Sequence, residues 1–318
     1  MSNTPISEIP AIRDTLRASF RKGLTRPLEW RKHQLLQLAR MLQENVDVFA
    51  EALHKDLGKP KFEAYAYEIG VMIERSVDSA KRVDEWAKPV VVDAQYVLCS
   101  RSVRIRVSLF EGTGNGLCSP RSTRHLSGTV LIIAPWNYPL ALTLQPLIGA
   151  IAAGCCAVIK PSEIASHFAA ALAEMLAKYL DSNAYRVVLG AVPETTKLLE
   201  LQWDHIFYTG NLGGKSPVLV DPSFDVTIAA KRILGAKMQN GGQLCVSPDY
   251  VIVPRTHQDA LVSALKNTYA EFYPQGSLVS DSISRIVSPD HHSRLMDLLN
   301  RSKSEVVDVQ PEDSLMEG

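Results

Sequence analysis

Cys245 closes the stretch Met238-Gln239-Asn240-Gly241-Gly242-Gln243-Leu244-Cys245, behind small and flexible polar residues in a segment that reads as a loop. A thiol used as a nucleophile has to be reachable and its thiolate favoured, conditions that a packed structural cysteine does not need. Thiolate addition to a carbonyl group leaves an oxyanion. An amide side chain can donate a hydrogen bond to that charge, together with a backbone N–H near the cysteine. Asn137, in Ala134-Pro135-Trp136-Asn137-Tyr138-Pro139, offers such an amide; the alternative is a turn in which the asparagine satisfies its own backbone. Lys160-Pro161-Ser162-Glu163 places a cation and a carboxylate together, able to donate to and accept from sugar hydroxyls. The alternative there is a plain helix cap with a surface lysine. Gly213-Gly214-Lys215 has the wrong spacing for a phosphate-cradling loop and is set aside.

These residues need elements to hold them. Residues 129–134 form a continuous β-branched, apolar run, as in a strand buried on both faces, and 156–160 form a second. Further strands are expected at 185–189, 204–208, 218–220 and 250–253. Helical spacing covers 140–153, a stretch from Ser162 as cap to about 180, 194–201, 225–238, 257–272 and 289–301. Strand and helix alternate, which predicts an α/β fold with a parallel sheet and crossover helices. Ligands bind such sheets at the carboxyl ends of the strands, and Asn137, Lys160 and Gly210 all fall there. Before the sheet, three- and four-residue apolar steps predict one helix over 29–55 and another over 62–86.

Composition narrows the class of function. Net charge is zero, so no global basic field argues for nucleic acid. The five cysteines are irregularly spaced and odd in number, which is not a disulfide framework, and no paired Cys-x-x-Cys or spaced histidines suggest a metal. The longest apolar stretch, over 140–153, falls short of a membrane span, and residues 1–25 carry no signal-peptide core. A reducing, cytoplasmic setting is the expectation. Residues 99–127 hold five arginines with Phe110 as the single aromatic, which reads as an atypical loop and not as a nucleic-acid platform. The tail 302–318 is acidic, aperiodic and expected to be disordered.

The motifs around Cys245, Asn137 and Lys160 resemble those of the aldehyde dehydrogenase superfamily, in wording nearest its class 3, fatty-aldehyde type branch. The resemblance implies NAD(P)-dependent oxidation of a small-molecule aldehyde to a carboxylic acid through a cysteine thiohemiacetal and thioester. It implies Cys245 as nucleophile and Asn137 as oxyanion donor. It assigns Trp136, Lys160, Ser162, Glu163, Thr209 and Gly210 to the cofactor, NAD or NADP, with Lys160 and Glu163 on the adenosine ribose. Phe207-Tyr208-Thr209-Gly210 matches the strand end that faces the pyrophosphate. Leu244 departs from the family, where a polar or small residue is usual. The implied fold is a Rossmann-like cofactor domain over 128–211, after an N-terminal helical region over 1–98 and before a shortened α/β catalytic domain over 212–301. The intact family implies a homodimer.

The resemblance breaks at three places. Residues 99–127 replace a short strand-rich stretch. At 210–212 the sequence jumps to Asn211-Leu212-Gly213-Gly214-Lys215-Ser216-Pro217, passing over a crossover helix and a strand. Asn211 stands where the family carries the glutamate that acts as general base in thioester hydrolysis, and an amide cannot take up that proton. The chain also stops before the family's Glu-x-Phe-Gly-Pro motif. A skipped crossover unit predicts an uncovered strand. It also keeps two alternatives in view: an impaired member acting as a non-catalytic partner, and a slow thiol esterase.

Overall fold

A computed structural model describes residues 3–88, 90–91, 121–122, 128–210 and 214–302. The expectations for Asn211, for the tail beyond 302 and for most of 99–127 lie outside those residues. Within the last, Arg121–Ser122 is a short strand (β2) paired antiparallel with Val90–Val91 (β1), so the expected loop is strand at that point.

The N-terminal layer is helical, as expected, with different joints. It opens with α1 (Ile9–Lys22), whose Ile9, Ile12 and Leu16 are buried at helical spacing. The helix expected over 29–55 is two: α2 (Leu28–Glu44) and α3 (Val46–Leu57), broken at Asn45. Asn45 leaves helical geometry at φ −126° and its side chain donates to the carbonyl of Met41 at 2.8 Å, a local bond that competes with the helix. The helix expected over 62–86 starts as α4 (Lys61–Ala64), widens to a π-helical turn at Tyr65–Ile69, and continues as α5 (Gly70–Trp86).

Four parallel strands follow: β3 (Thr129–Ile133), β4 (Cys156–Lys160), β5 (Tyr185–Val187) and β6 (His205–Tyr208), in the order β5-β4-β3-β6. Their crossovers are α6 (Pro139–Ala152), α7 (Ser166–Tyr179) and α8 (Val192–Glu200). Every residue of β3 and β4 is buried, which their apolar, β-branched sequences require of central parallel strands. α6 covers β3 and β4, and α7 covers β5. The step from β5 to β6 crosses back past β3, so α8 lies on the opposite face, where it meets α1. The helices α2, α3 and α5 form a further layer over α6 and α7, and one apolar core runs from Ile9 and Leu16 through the sheet to Leu176 and Leu198.

Ser162 does not cap α7, which begins four residues later. Its hydroxyl accepts from the N–H of Ile164 at 3.3 Å. The cap comes from α3: the carboxylate of Asp56 accepts from the backbone N–H of His167 at 3.0 Å and of Phe168 at 2.8 Å. Pro161 and the Ser162–Ile164 turn delay the helix until that partner is reached.

β6 forms the edge, paired on one side with β3, and Ile206, Phe207 and Tyr208 are exposed at 42, 42 and 63%. That matches the uncovered strand predicted from the jump at 210–212. The last part is smaller. β7 (Ser216–Leu219) and β8 (Pro248–Ile252) pair in parallel through α9 (Val226–Met238), followed by α10 (Gln258–Phe272) and α11 (Pro289–Arg301). Asp225 caps α9 by accepting from Thr227 and Ile228. Among the described residues no helix is long and apolar enough to cross a membrane.

Candidate active site

β3 has β4 on one side and β6 on the other, and the crossovers that lead to these two neighbours, α6 and α8, lie on opposite faces. The crevice at the carboxyl ends of these strands is therefore the switch point where α/β sheets take ligands. A cleft of about 300 Å³ opens there. It is lined by Trp136 after β3, Lys160, Ser162 and Glu163 after β4, and Thr209 and Gly210 after β6, so all six residues expected to hold a cofactor share one cavity. The ladder continues beyond the strands to shape its floor: Ala134 N–H donates to Lys160 carbonyl, and Thr209 N–H to Ile133 carbonyl, both at 3.0 Å. The far wall is Val192, Thr195, Thr196 and Leu199 of α8, which sequence reasoning missed. The helix was foreseen, but nothing local says that it lies across the cleft.

Lys160 is 2% exposed, yet its ammonium is held by the carbonyl of Pro161 at 2.7 Å and by Glu163 at 3.2 Å. Glu163 is half exposed at the cleft, with its second carboxylate oxygen available as an acceptor. The donor set thus offers a fixed cation, a carboxylate, two hydroxyl-bearing threonines on α8 and apolar walls, which fits a ribose with its attached base better than a free phosphate.

Asn137 and Cys245 are not among the residues that line that cleft, although Asn137 directly follows Trp136, which is. Asn137 is 5% exposed, and its Nδ2 donates to the carbonyl of Gln243 at 3.0 Å. Asn240 returns the link: its Nδ2 donates to the carbonyl of Asn137 at 2.6 Å and to that of Gln243 at 3.1 Å. These acceptors fix both amide orientations, leaving Oδ1 of Asn137 and of Asn240 buried without a partner. The two segments, 103 residues apart, are therefore tied together next to the cysteine.

The loop earns its shape from its sequence. Asn240, Gly241 and Gly242 adopt φ of 52, 60 and 77°, three left-handed residues in a row. Asparagine tolerates that region and glycine has no Cβ to oppose it. A Cβ on Gly241 would stand 3.0 Å from the carbonyl oxygen of Ser284. The turn delivers Cys245 to the surface as an exposed free thiol, whereas Cys155 and Cys156 are buried. Burial pushes the Cys156 thiol up to about 12. Tyr138, next to Asn137, is also raised well above the ordinary phenol, first by burial and then by the charges of Glu63 and Glu68.

Comparison with known proteins places the chain. Its sequence matches the "Aldehyde dehydrogenase family" over residues 7–211 and 201–314, two segments that overlap beside the jump in the chain. It is 39% identical over 307 residues to aldehyde dehydrogenase family 3 member B2 of Mus musculus, covering 90% of this chain and 60% of that protein. It is 37% identical over 321 residues to the "Aldehyde dehydrogenase, dimeric NADP-preferring" of Canis lupus familiaris, covering 94% and 67%. The solved "Substrate bound state of Staphylococcus Aureus AldH" superposes with a TM-score of 0.82 at 34% identity, over 93% of this chain and 66% of that one. A Mycobacterium tuberculosis aldehyde dehydrogenase shares the fold at a TM-score of 0.78 and 21% identity. The chain spans about 60% of the length of the mouse relative. On the motifs, the fold and these matches together, the chain belongs to the aldehyde dehydrogenase family.

Proposed function

We propose that the chain carries an NAD(P)-dependent aldehyde-oxidising site in which Cys245 is the nucleophile and Asn137 the oxyanion donor. The observation that carries this reading is the reciprocal hydrogen bonding of Asn137 with the Asn240–Gln243 turn. It ties the segment that carries this amide, directly after the cleft residue Trp136, to the loop that ends in an exposed thiol. The Nδ2 of Asn137 has two protons; one goes to Gln243, and the other is left for an oxyanion.

The thiolate of Cys245 adds to the aldehyde carbon, and the carbonyl electrons move onto oxygen, where the Asn137 amide stabilises them. A nicotinamide cofactor held in the cleft would supply the acceptor for the hydride that leaves as the adduct collapses to a thioester. Water then releases the acid and returns the thiol. Lys160 and Glu163 would donate to and accept from ribose hydroxyls, while Trp136, Ser162, Thr209 and Gly210 line the remainder of the cleft. The dog relative is named as NADP-preferring and dimeric, which supports NAD or NADP as the cofactor and a homodimer here. The division into a helical region, a cofactor domain over 128–211 and a catalytic part over 212–301 belongs to the same reading.

The test is reduction of NAD+ or NADP+ by the purified chain with hexanal or benzaldehyde. The parent is expected to form reduced nicotinamide, and Cys245→Ala to form none. Full activity in Cys245→Ala would sink the assignment.

A further inference from the structure

One irregular helical segment makes polar contact with both halves of this site. α4 and α5 are joined by the π-helical turn at Tyr65–Ile69, closed by the N–H of Gly70 donating to the carbonyl of Tyr65. Such wide turns insert a residue and change which way the following side chains face. Gly70 suits the turn, since a Cβ there would lie 3.0 Å from that same carbonyl oxygen. Two carboxylates flank or occupy the turn, 7 and 0% exposed.

Glu63 reaches the cysteine loop. One of its oxygens accepts from the backbone N–H of Asn240 at 2.6 Å, and the other from the Ser284 hydroxyl at 3.0 Å. Glu68 reaches the asparagine segment. Its Oε2 accepts from the N–H groups of Leu140 and Ala141, at 2.9 and 3.1 Å, capping α6 directly after Asn137-Tyr138-Pro139. Its Oε1 is paired with the fully buried Lys59, whose ammonium lies 4.1 Å from the centre of the Tyr138 ring. Tyr67, between them, accepts from Gln239 at 3.1 Å.

A buried carboxylate is costly unless paired and hydrogen-bonded, so two of them bonded to backbone N–H groups are strong geometric constraints. We propose that Glu63 and Glu68 are positioning residues that hold the Asn137 amide and the Cys245 loop at a fixed separation. Glu68 fixes the strand-to-helix turn that carries Asn137. Glu63 fixes the left-handed residue that aims Gln243 and Cys245. The inference rests on the assignment of Cys245 and Asn137 made above.

The reversible adduct tests it without requiring turnover. Hexanal adds to Cys245 by forming an S–C bond as the carbonyl π bond opens, with the thiol proton ending on the new hydroxyl. While the adduct lasts, iodoacetamide cannot alkylate that thiol. The half-protecting hexanal concentration, read by mass spectrometry of the Cys245 peptide, reports how well the amide and thiol are aligned. Asn137→Ala should raise it about tenfold, the usual worth of one lost hydrogen bond to the adduct's oxygen. Glu63→Ala should raise it fivefold or more. Glu63→Gln should restore it to within twofold, because the amide oxygen still accepts from Asn240 and the serine hydroxyl can accept instead of donate. Should Glu63→Ala fail to fold, Glu63→Asp, which keeps the charge and shortens the reach, should give the same fivefold rise. A shift in Asn137→Ala with none in the shortened Glu63 variants overturns the positioning role and leaves the site assignment standing. No shift in Asn137→Ala, or no protection of the parent, overturns the assignment beneath it.

Discussion

The side-chain amide of Asn240 donates to the backbone carbonyl of Asn137 at 2.6 Å, so the cysteine loop is docked on the segment that carries the candidate oxyanion donor. Asn240 does this from a left-handed conformation, φ 52°. Substitution by alanine removes the hydrogen bond and keeps a Cβ in a region that costs an ordinary residue about 1–2 kcal/mol. With about 1 kcal/mol for each lost hydrogen bond, Asn240→Ala should destabilise the chain by about 2–3 kcal/mol in urea unfolding. Asn240→Gly should cost less. Equal stability of Asn240→Ala and the parent would show that the docking contributes nothing.

The thiols should separate by pH. With its thiol pushed up to about 12, Cys156 has only about one part in 10⁴ as thiolate at pH 8. It is also buried, while Cys245 is exposed. Brief alkylation at pH 8 should label Cys245 and leave Cys156 unmodified, with labelling of Cys156 emerging only as the fold is opened by denaturant. Peptide mass spectrometry checks this; comparable labelling of the two in the folded chain would contradict the burial argument.

Asp56 offers a clean stability test because it caps a helix to which it does not belong. Asp56→Ala should lower stability by about 1–2 kcal/mol, the usual value of a capping side chain. Asp56→Asn, which keeps one acceptor, should recover part of that. A melting temperature unchanged in Asp56→Ala would mean that water serves the two N–H groups equally well.

Glu194 tests a charge. Its carboxyl is held below the usual range by the N–H groups at the start of α8, chiefly its own and that of Ala191, the latter at 2.8 Å. A depressed folded-state value means stability that is present above the unfolded pKa and lost as pH falls through the folded one. Glu194→Gln should therefore be less stable than the parent at neutral pH, with the gap closing below about pH 4.5. A gap that persists unchanged into acid would assign the effect to shape instead of charge.

Asn211 yields the prediction on turnover. If its amide cannot supply the base for thioester hydrolysis, the parent should give a burst of reduced nicotinamide followed by slow release. Asn211→Glu should raise the steady rate at least tenfold and leave the burst unchanged. A steady rate unaffected by that substitution would place the slow step elsewhere.

Much of this was legible because the signals were local. The expected bounds of Cys156–Lys160 and Pro289–Arg301 match to the residue, one an unbroken apolar run ending in lysine, the other a stretch of helical spacing. The residues expected to hold the cofactor converge because three strand ends share one edge of a parallel sheet, which alternation alone implies. What was missed is tertiary. The sequence around Ser162 contains a good cap, and only the folded chain shows Asp56 supplying it from 111 residues away. Continuous periodicity from 29 to 55 concealed the break at Asn45. Nothing local marks α1, whose charged residues outnumber the three that are buried. Nothing in Glu63 or Glu68 as residue types marks them as reaching the site.

The open edge of β6 has a consequence for the protein in solution. A strand with one side unpaired among the described residues, and with Ile206, Phe207 and Tyr208 exposed, is a template on which another extended chain can add. No proline or lysine interrupts His205–Tyr208 to discourage it. Crowded conditions and heating would therefore turn this margin into the seed of insoluble material, and a lysine in place of Ile206 or Tyr208 is the change that would keep the chain dispersed.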